Sequence, residues 1–165
     1  NTPHLSWTSD PYEADTLVNF ELVAARHRYH TPLARSLYLG TPSRALRNLE
    51  RALLAGIEFA LREIRPGITA ADVERSFQGA ASRFGVSKSA RCGYSIGIAY
   101  PPTFGEQTLS LRPEDVTVLQ PNMTLHLMPA VWEQGHSMAI TEPLIVTERG
   151  CDLLCGLERR LFSLE

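Results

Sequence analysis

The first forty residues contain two stretches that are typical of paired β-strands. Residues 15–25 form a short stretch rich in branched apolar side chains, which predicts a buried strand. Residues 32–39 alternate, with three leucines and Arg35 on one face and smaller or aromatic side chains on the other. Because residues 26–28 can turn the chain between them, the two strands are predicted to pair antiparallel.

The stretch that follows has the period of an amphipathic helix. Gly40 ends the second strand, Thr41 is the expected N-cap, and Pro42 suits the first turn. Pro66 and Gly67 end the helix. Between these limits apolar side chains recur at steps of three and four over about 20 residues, at Leu46, Leu49, Leu53, Ile57, Leu61 and Ile64.

A second, shorter helix is predicted to begin at Thr69. Asp72 stands three residues later, which is the spacing of a capping box. Gly85 is the expected end of this helix. Its buried face is predicted to hold Val73, Phe77 and Phe84.

The second half of the chain has the alternation and turn residues of β-structure. Residues 94–100 form a short segment with glycines, and residues 116–119 form a short strand. Residues 123–132 and 137–147 predict two longer strands, with a loop at Gly135 between them. The order of two strands, two helices and further strands indicates an α+β fold in which helices cover one side of a sheet.

Composition narrows the possible functions. Of 165 residues, 44% are hydrophobic and 21% are charged, so the chain can bury a core. A net charge of −2 gives no electrostatic reason to expect a nucleic-acid partner. No apolar run reaches the roughly 18 residues that cross a bilayer, so no membrane span is expected. Three cysteines (Cys92, Cys151 and Cys155) are an odd number, which favours free thiols and predicts a cytoplasmic protein.

Two carboxylates interrupt apolar strand patterns, where an unpaired charge is costly. Glu142 shares a predicted face with Met138, Ile140, Leu144 and Val146, and Glu21 shares one with Leu17, Asn19 and Val23. In one interpretation each glutamate pairs with an arginine such as Arg35, or lies at an exposed edge. In the other, the two are low-dielectric carboxylates with raised pKa values, one a nucleophile and the other a proton shuttle.

Histidines and glycines leave similar alternatives open. His126 shares a predicted strand face with Trp132, and it is either a satisfied core residue or a catalytic group. His27 and His30 flank the Arg28-Tyr29 pair, and this polar cluster either lines a pocket or forms a solvated turn. The glycines of residues 93–97 allow either a close backbone approach or a simple tight bend.

Four sequence strings, taken together, resemble a known family. They occur in the order FELVAARHRYHTPLARSLYLG, GYSIGIAYPPTFGE, LRPEDVTVLQPNMTLHLMPAVW and ITEPLIVTERG. They resemble the carboxy-terminal part of the creatinase/Xaa-Pro peptidase family, and the resemblance covers about residues 4–162. It implies a pita-bread fold with a curved antiparallel or mixed sheet. Residues 1–165 are then the carboxy-terminal half of the catalytic domain, without the amino-terminal domain and the first half of the pita-bread.

The resemblance also implies that the metal site of the family's peptidases has been lost. Those enzymes use two Asp, one His and two Glu as ligands, and the matching positions here are Glu21, Pro32, Tyr94, Met128 and Glu142. Proline has no side-chain donor, and a methionine thioether does not suit a hard, oxygen-rich site. We therefore expect no metal and no other cofactor.

Within the family, the chain is most similar to the ectoine hydrolase branch, which opens a cyclic amidine. The resemblance implies that Glu21 is the nucleophile or the charge partner of the amidinium, and that Glu142 is a general acid/base. His126 would orient or shuttle a proton, and Tyr94 would donate a hydrogen bond to an anionic intermediate. The remaining expected substrate contacts are a ring wall of Tyr100 and Trp132 and a carboxylate-binding set of Arg28, His30 and Arg35.

Two alternatives to this function remain. One is another creatinase-like hydrolase of a C–N bond or amidino group, or an Xaa-Pro peptidase-related protein, and the other is a non-catalytic pita-bread domain kept for protein interaction. In either case, the strand edges of half a pita-bread predict association, as a homodimer or with the missing amino-terminal part.

Overall fold

The architecture is α+β, as the sequence predicts. The structure, a computed structural model, describes residues 8–100, 103, 105–132 and 137–164. Within these residues, two long strands come first, two helices follow, and eight shorter strands complete the fold. None of the described helices has both the length and the apolar composition that crossing a membrane requires.

A long β-hairpin opens the fold and confirms the first predicted strand pair. β1 (Thr16–Arg26) and β2 (Tyr29–Leu39) pair antiparallel along their whole length. The prediction that the first strand is buried is wrong, because β1 lies at the edge of its sheet and its residues are half-buried as far as Asn19 and exposed from Phe20 onward. His27 and Arg28 form the turn with positive φ angles of 49° and 69°. Two such residues in a two-residue turn match the right-handed twist of the flanking strands.

Both predicted helices are present, but the start of the first and the end of the second differ. The second helix ends at Ala81 rather than at Gly85, and Phe84, which the sequence predicts to be buried, is half-buried in the turn that follows. α1 (Arg44–Glu63) begins at Ser43, whose side chain accepts a hydrogen bond from the Leu46 N–H, so the prediction of Thr41 as N-cap is wrong by two residues. α2 (Ala70–Ala81) begins with the predicted capping box of Thr69 and Asp72. A short 3-10 turn follows α2 and ends at Gly85, whose φ of 73° is left-handed.

The remaining strands form three groups. β3 (Gly93–Ile96), β4 (Gly105–Ser110), β5 (Thr124–Leu127), β8 (Glu142–Val146) and β9 (Cys151–Leu153) make an antiparallel sheet in the order β4-β3-β5-β8-β9. β10 (Phe162–Leu164) adds parallel to β2. β6 (Ala130–Val131) and β7 (Met138–Ala139) form a two-residue pair.

Several predicted strand boundaries are wrong. The strand predicted over 123–132 is two strands, because Pro129 lacks the N–H that a continuous ladder requires. The strand predicted over 137–147 is also interrupted, between β7 and β8. Residues 116–119 make only one isolated bridge, between Val118 and Thr69. The segment predicted over 94–100 is a strand only as far as Ile96. The predicted loop at Gly135 lies outside the described residues.

The main core lies between the two helices and the five-stranded sheet. Its largest fully buried side chains include Leu53, Ile57 and Phe77 from the helices and Leu125 and Leu127 from β5. Burial of each such side chain contributes about 1.5–3 kcal/mol relative to exposure. Because side chains alternate along a strand, the residue between the two leucines of β5 faces away from this core.

The cysteines are free thiols, as expected. Cys92 is buried in the core, and burial raises the pKa of its thiol to about 12. Cys151 and Cys155 are half-buried. A thiol with so high a pKa holds little of the reactive thiolate, so Cys92 is a packing residue.

Candidate functional site

Two neighbouring strands place Tyr94 and His126 side by side. The two residues are register partners between β3 and β5, so their side chains leave the sheet on the same face, opposite the helices. Their rings are nearly perpendicular, at 87°, with centroids 5.2 Å apart. The Tyr94 hydroxyl lies 2.9 Å from His126 Nδ1, within hydrogen-bonding distance.

His126 is buried, and its second ring nitrogen also has a partner. Nε2 lies 2.7 Å from Thr141 Oγ1, in the segment between β7 and β8. Burial, with a smaller contribution from the positive charge of Arg91, lowers the pKa of His126 to about 3. The imidazole is therefore neutral near physiological pH, and its two hydrogen bonds place it as a satisfied buried residue that holds Tyr94.

Thr141 connects this pair to the long hairpin. Its Oγ1 accepts a hydrogen bond of 2.7 Å from the Ala34 N–H, and its own N–H donates to the Ala34 carbonyl at 3.1 Å. Sequence reasoning missed Thr141. The available signal was a polar residue next to Glu142 in an otherwise apolar run.

Glu21 lies on the face of the hairpin that meets this chain of hydrogen bonds. It is the register partner of Ala34, and together with burial its negative charge raises the pKa of Tyr94. Arg91 acts in the opposite direction and stacks 4.3 Å from the centre of the Tyr94 ring. Glu21 itself is exposed on the edge strand of its sheet, so the low-dielectric alternative is wrong for Glu21 and the exposed-edge alternative is the arrangement observed.

Glu142 occupies different surroundings. Its Oε1 lies 2.6 Å from Arg35 Nη2, and the two side chains are only 1% and 6% exposed. Burial raises the pKa of Glu142 despite the opposing charges of Arg35 and Arg159. Its Oε2 is buried and has no hydrogen-bond partner within the described part of the chain. The arginine-paired alternative that the sequence left open is therefore the arrangement observed for Glu142.

The five N–H groups of Arg35 all have acceptors. Besides Glu142, they donate to the carbonyl oxygens of Ala34, Thr141, Leu157 and Glu158. A guanidinium has no sixth donor. Arg35 thus has no free N–H for a substrate carboxylate, and the substrate-binding role expected from the sequence does not fit this geometry.

The other expected substrate contacts lie at the hairpin turn and beside Ala34. Arg28 donates to the Tyr100 hydroxyl and stacks 5.0 Å from the centre of that ring, with both side chains exposed. His30 is buried, and its Nδ1 donates to the Arg28 carbonyl at 2.8 Å. Trp132 is half-buried and packs against the small cluster of Ala34, Ala130 and Ala139.

The residues present do not fit a two-metal centre. Of the five matched positions, Pro32 has no donor, Tyr94 bonds to His126, and Glu142 pairs with Arg35. The described residues contain no group of three or more His, Cys, Asp or Glu side chains arranged to hold a metal ion. Of the two carboxylates at matched positions, Glu142 is paired with Arg35, and Glu21 is the one whose charge acts on Tyr94.

This fold, with its curved sheet assembly and two helices, is the pita-bread fold. Residues 1–148 match the sequence profile of metallopeptidase family M24, and the chain belongs to that family. The chain is 43% identical over 161 residues to the ectoine hydrolase of Halomonas elongata, and 38% identical over 159 residues to an uncharacterized hydrolase/peptidase of Sinorhizobium fredii. These matches cover 97% and 96% of this chain.

Solved structures support the assignment of the fold. The comparisons also show that the chain spans less than half the length of each relative. The dipeptidase PepE from Mycobacterium ulcerans superposes with a TM-score of 0.88 at 20% identity, over 98% of this chain and 43% of that one. The chain spans 40% and 41% of the two relatives named above. The resemblance predicted from the sequence is therefore confirmed for the family and for the fold.

Proposed function

We propose that the protein is a hydrolase that opens a cyclic amidine such as ectoine without a metal ion. The observation that carries the proposal is the position of Glu21, an exposed carboxylate whose charge acts on the buried Tyr94–His126–Thr141 chain of hydrogen bonds. A relative with 43% identity is named ectoine hydrolase, which supports this substrate class. The loss of metal-ligand chemistry at Pro32 and Met128 supports metal independence.

The substrate chemistry suits a carboxylate. The carbon of a cyclic amidinium lies between two nitrogens that share its positive charge, so an anion such as Glu21 attracts the ring. Glu21 then either adds to that carbon as a nucleophile or holds the cation while water adds. The ring C–N bond breaks, the leaving nitrogen takes a proton, and water supplies the oxygen of the resulting N-acetyl diamino acid.

The neighbouring side chains have complementary roles in this proposal. Tyr94 donates a hydrogen bond to the oxygen on which negative charge develops, and His126 holds Tyr94 in place. The proposal assigns the ring contacts to Trp132 and Tyr100, and the substrate carboxylate to Arg28 and His30. Arg35 and Glu142 hold β2 against the sheet.

The test uses the full-length protein and replaces Glu21. Glu21→Gln should remove nearly all ectoine hydrolysis, because an amide neither pairs with the amidinium nor adds to its carbon. The melting temperature should stay unchanged, since Glu21 is exposed. The matched control is Glu58→Gln on the exposed face of α1, which should keep full turnover.

A second measurement separates the two roles of Glu21. Mass spectrometry of protein quenched during turnover should find an adduct on the peptide that contains Glu21 if this residue is the nucleophile, and none if it only holds the cation. A folded Glu21→Gln variant with near-normal turnover would contradict both roles.

A further inference from the structure

We infer that Thr141 is a positioning residue that sets which nitrogen of His126 carries the hydrogen, and that it thereby directs the Tyr94 hydroxyl hydrogen into the site. This inference rests on the proposed function, in which Tyr94 donates to the reacting group. It follows from the hydrogen-bond partners of one buried hydroxyl group.

The Thr141 hydroxyl has two partners. Its oxygen accepts from the Ala34 N–H at 2.7 Å, and it lies 2.7 Å from His126 Nε2. A hydroxyl group has one hydrogen to donate and two lone pairs to accept with. The Ala34 contact uses one lone pair, because a backbone N–H is always a donor.

The remaining contact fixes the direction of the hydroxyl hydrogen. Thr141 is fully buried, and His126 Nε2 is the one acceptor that the described residues offer to its Oγ1 hydrogen. If Nε2 were itself protonated, the Thr141 hydrogen would be buried without an acceptor, which is unfavourable. Thr141 therefore donates to Nε2, and the ring hydrogen of neutral His126 lies on Nδ1.

This tautomer determines what Tyr94 can do. With its hydrogen on Nδ1, His126 donates to the Tyr94 oxygen, so the phenolic hydrogen points away from the imidazole. In the other tautomer, Tyr94 would donate its only hydrogen to Nδ1. Only the first arrangement leaves Tyr94 as a donor toward the face that carries Glu21.

The same contacts hold the donor and the carboxylate at a fixed spacing. Ala34, which begins the chain of hydrogen bonds, is the β2 register partner of Glu21. The Ala34 N–H donates to Thr141, Thr141 to His126, and His126 to Tyr94. Hydrogen bonds arranged in one direction polarise one another, which makes the terminal hydroxyl a stronger donor.

If His126 were protonated, Thr141 could no longer determine which ring nitrogen carries the hydrogen, because an imidazolium donates from both nitrogens. Burial and the charge of Arg91 oppose that state and lower the pKa of His126 to about 3. The tautomer is therefore the relevant variable across the working pH range. Among the described residues, the hydroxyl groups of Tyr94 and Thr141 contact the ring and the charge of Arg91 acts on it.

The direct test is ¹⁵N NMR of the full-length protein with labelled histidine, and a His126→Asn sample identifies the signals of His126. We expect Nδ1 to have the chemical shift of a protonated nitrogen and Nε2 that of an unprotonated one. The opposite pattern in the wild-type protein would overturn the inference. This readout does not depend on turnover, so it stands even if the proposed function fails.

Kinetics of Thr141 variants give the functional readout. Thr141→Val keeps the shape but removes the hydroxyl, so kcat for ectoine should fall about 10-fold to 100-fold with KM nearly unchanged, as for a weakened transition-state donor. Thr141→Ser should restore both kcat and the Nδ1–H tautomer. Thr16→Val on β1 is the matched control and should leave kcat unchanged. A Ser variant that folds but stays as slow as the Val variant would contradict the inference.

Discussion

The buried ion pair between Arg35 and Glu142 joins the hairpin to the five-stranded sheet, and its removal should strongly destabilise the protein. The perturbation is Arg35→Met, which keeps much of the side-chain volume but removes the charge and five hydrogen bonds. The Glu142 carboxylate then stays buried without its cation. Neither of its oxygens keeps a hydrogen-bond partner, because the second oxygen already has none in the described structure.

The magnitude follows from what is left behind. Breaking a buried ion pair by removing one partner costs about 3–5 kcal/mol. Three of the four carbonyl groups add little, because Ala34 also accepts from the Thr141 N–H, and Leu157 and Glu158 lie in an exposed segment where water can replace the arginine. The carbonyl of the buried Thr141 loses its arginine donor, which adds to the cost. A total stability of about 5–15 kcal/mol is usual for a domain, so this single change brings the fold close to its limit.

The loss should increase as pH rises. Burial already raises the folded-state pKa of Glu142 above its unfolded value, and Arg35 opposes that rise through its charge and its hydrogen bond. Without Arg35 the folded-state pKa rises further. A group with a raised folded-state pKa binds its proton more tightly in the folded protein, so the free energy of unfolding falls as pH rises between the two pKa values. Arg35→Met should therefore lose less stability near pH 5 than near pH 8.

Urea unfolding of wild type and variant at both pH values measures these effects. The control is Arg62→Met, which removes an arginine from the exposed Arg62–Glu58 pair on α1 and should change the free energy of unfolding by only about 0–1 kcal/mol. An Arg35→Met protein as stable as this control at pH 8 would refute the reasoning. So would a deficit that shrinks as pH rises.

Glu142→Gln on the same protein separates structure from catalysis. The amide oxygen can still accept from Arg35, and the guanidinium keeps its four carbonyl partners, so this variant should be less destabilised than Arg35→Met. Its folded fraction should keep ectoine turnover within about 10-fold of wild type. A stable variant that is slower by about 100-fold to 10,000-fold would instead show that Glu142 is the general acid/base that the sequence suggested.

Three further predictions concern packing, metal content and assembly. Gly56→Ala should destabilise by about 1–3 kcal/mol because its Cβ would lie 2.3 Å from the Phe77 ring, whereas Gly79→Ala in α2 meets nothing within 4 Å and should stabilise by up to about 1 kcal/mol, both measured by urea unfolding. Elemental analysis should find no stoichiometric Mn, Co, Zn or Fe, and two metal ions per chain would contradict this. The apolar side chains of Phe20, Leu22, Leu157 and Leu164, which are 41–66% exposed, predict association, and light scattering from a stable monomer at micromolar concentration would contradict it.

The elements that were predicted correctly from the sequence are those whose signals are local. The start of α2 is predicted by its capping box, whose two residues, Thr69 and Asp72, are three positions apart in the chain. The stripe of α1 is recognised from apolar side chains that recur one turn apart along the same helix. The antiparallel pairing of the hairpin is equally local, because its two strands are joined by a two-residue turn. Because these signals lie within one element or its turn, they are enough to predict that element from the sequence.

The short strands of the second half depend on partners that are far away in the chain. β10 has three residues and no pattern of its own, and it exists because it pairs with β2 more than 120 residues earlier. The Arg35–Glu142 pair shows the same limit, since the sequence offered Arg35 as a partner among alternatives but did not fix which glutamate it would join.

The candidate site shows that the residue most noticeable in the sequence is not always the one that contacts the other residues of the site. Glu142 attracts attention because a carboxylate in an apolar run is costly, and that cost is met by Arg35 rather than by a substrate. Its neighbour Thr141 is unremarkable in sequence, yet its side chain is the one that reaches His126. Adjacent side chains in extended backbone point to opposite sides. A sequence match that is wrong by one residue therefore selects Glu142, which forms a structural ion pair, instead of Thr141, which contacts the site. Hydrogen-bond partners, which only the folded chain defines, decide between the two.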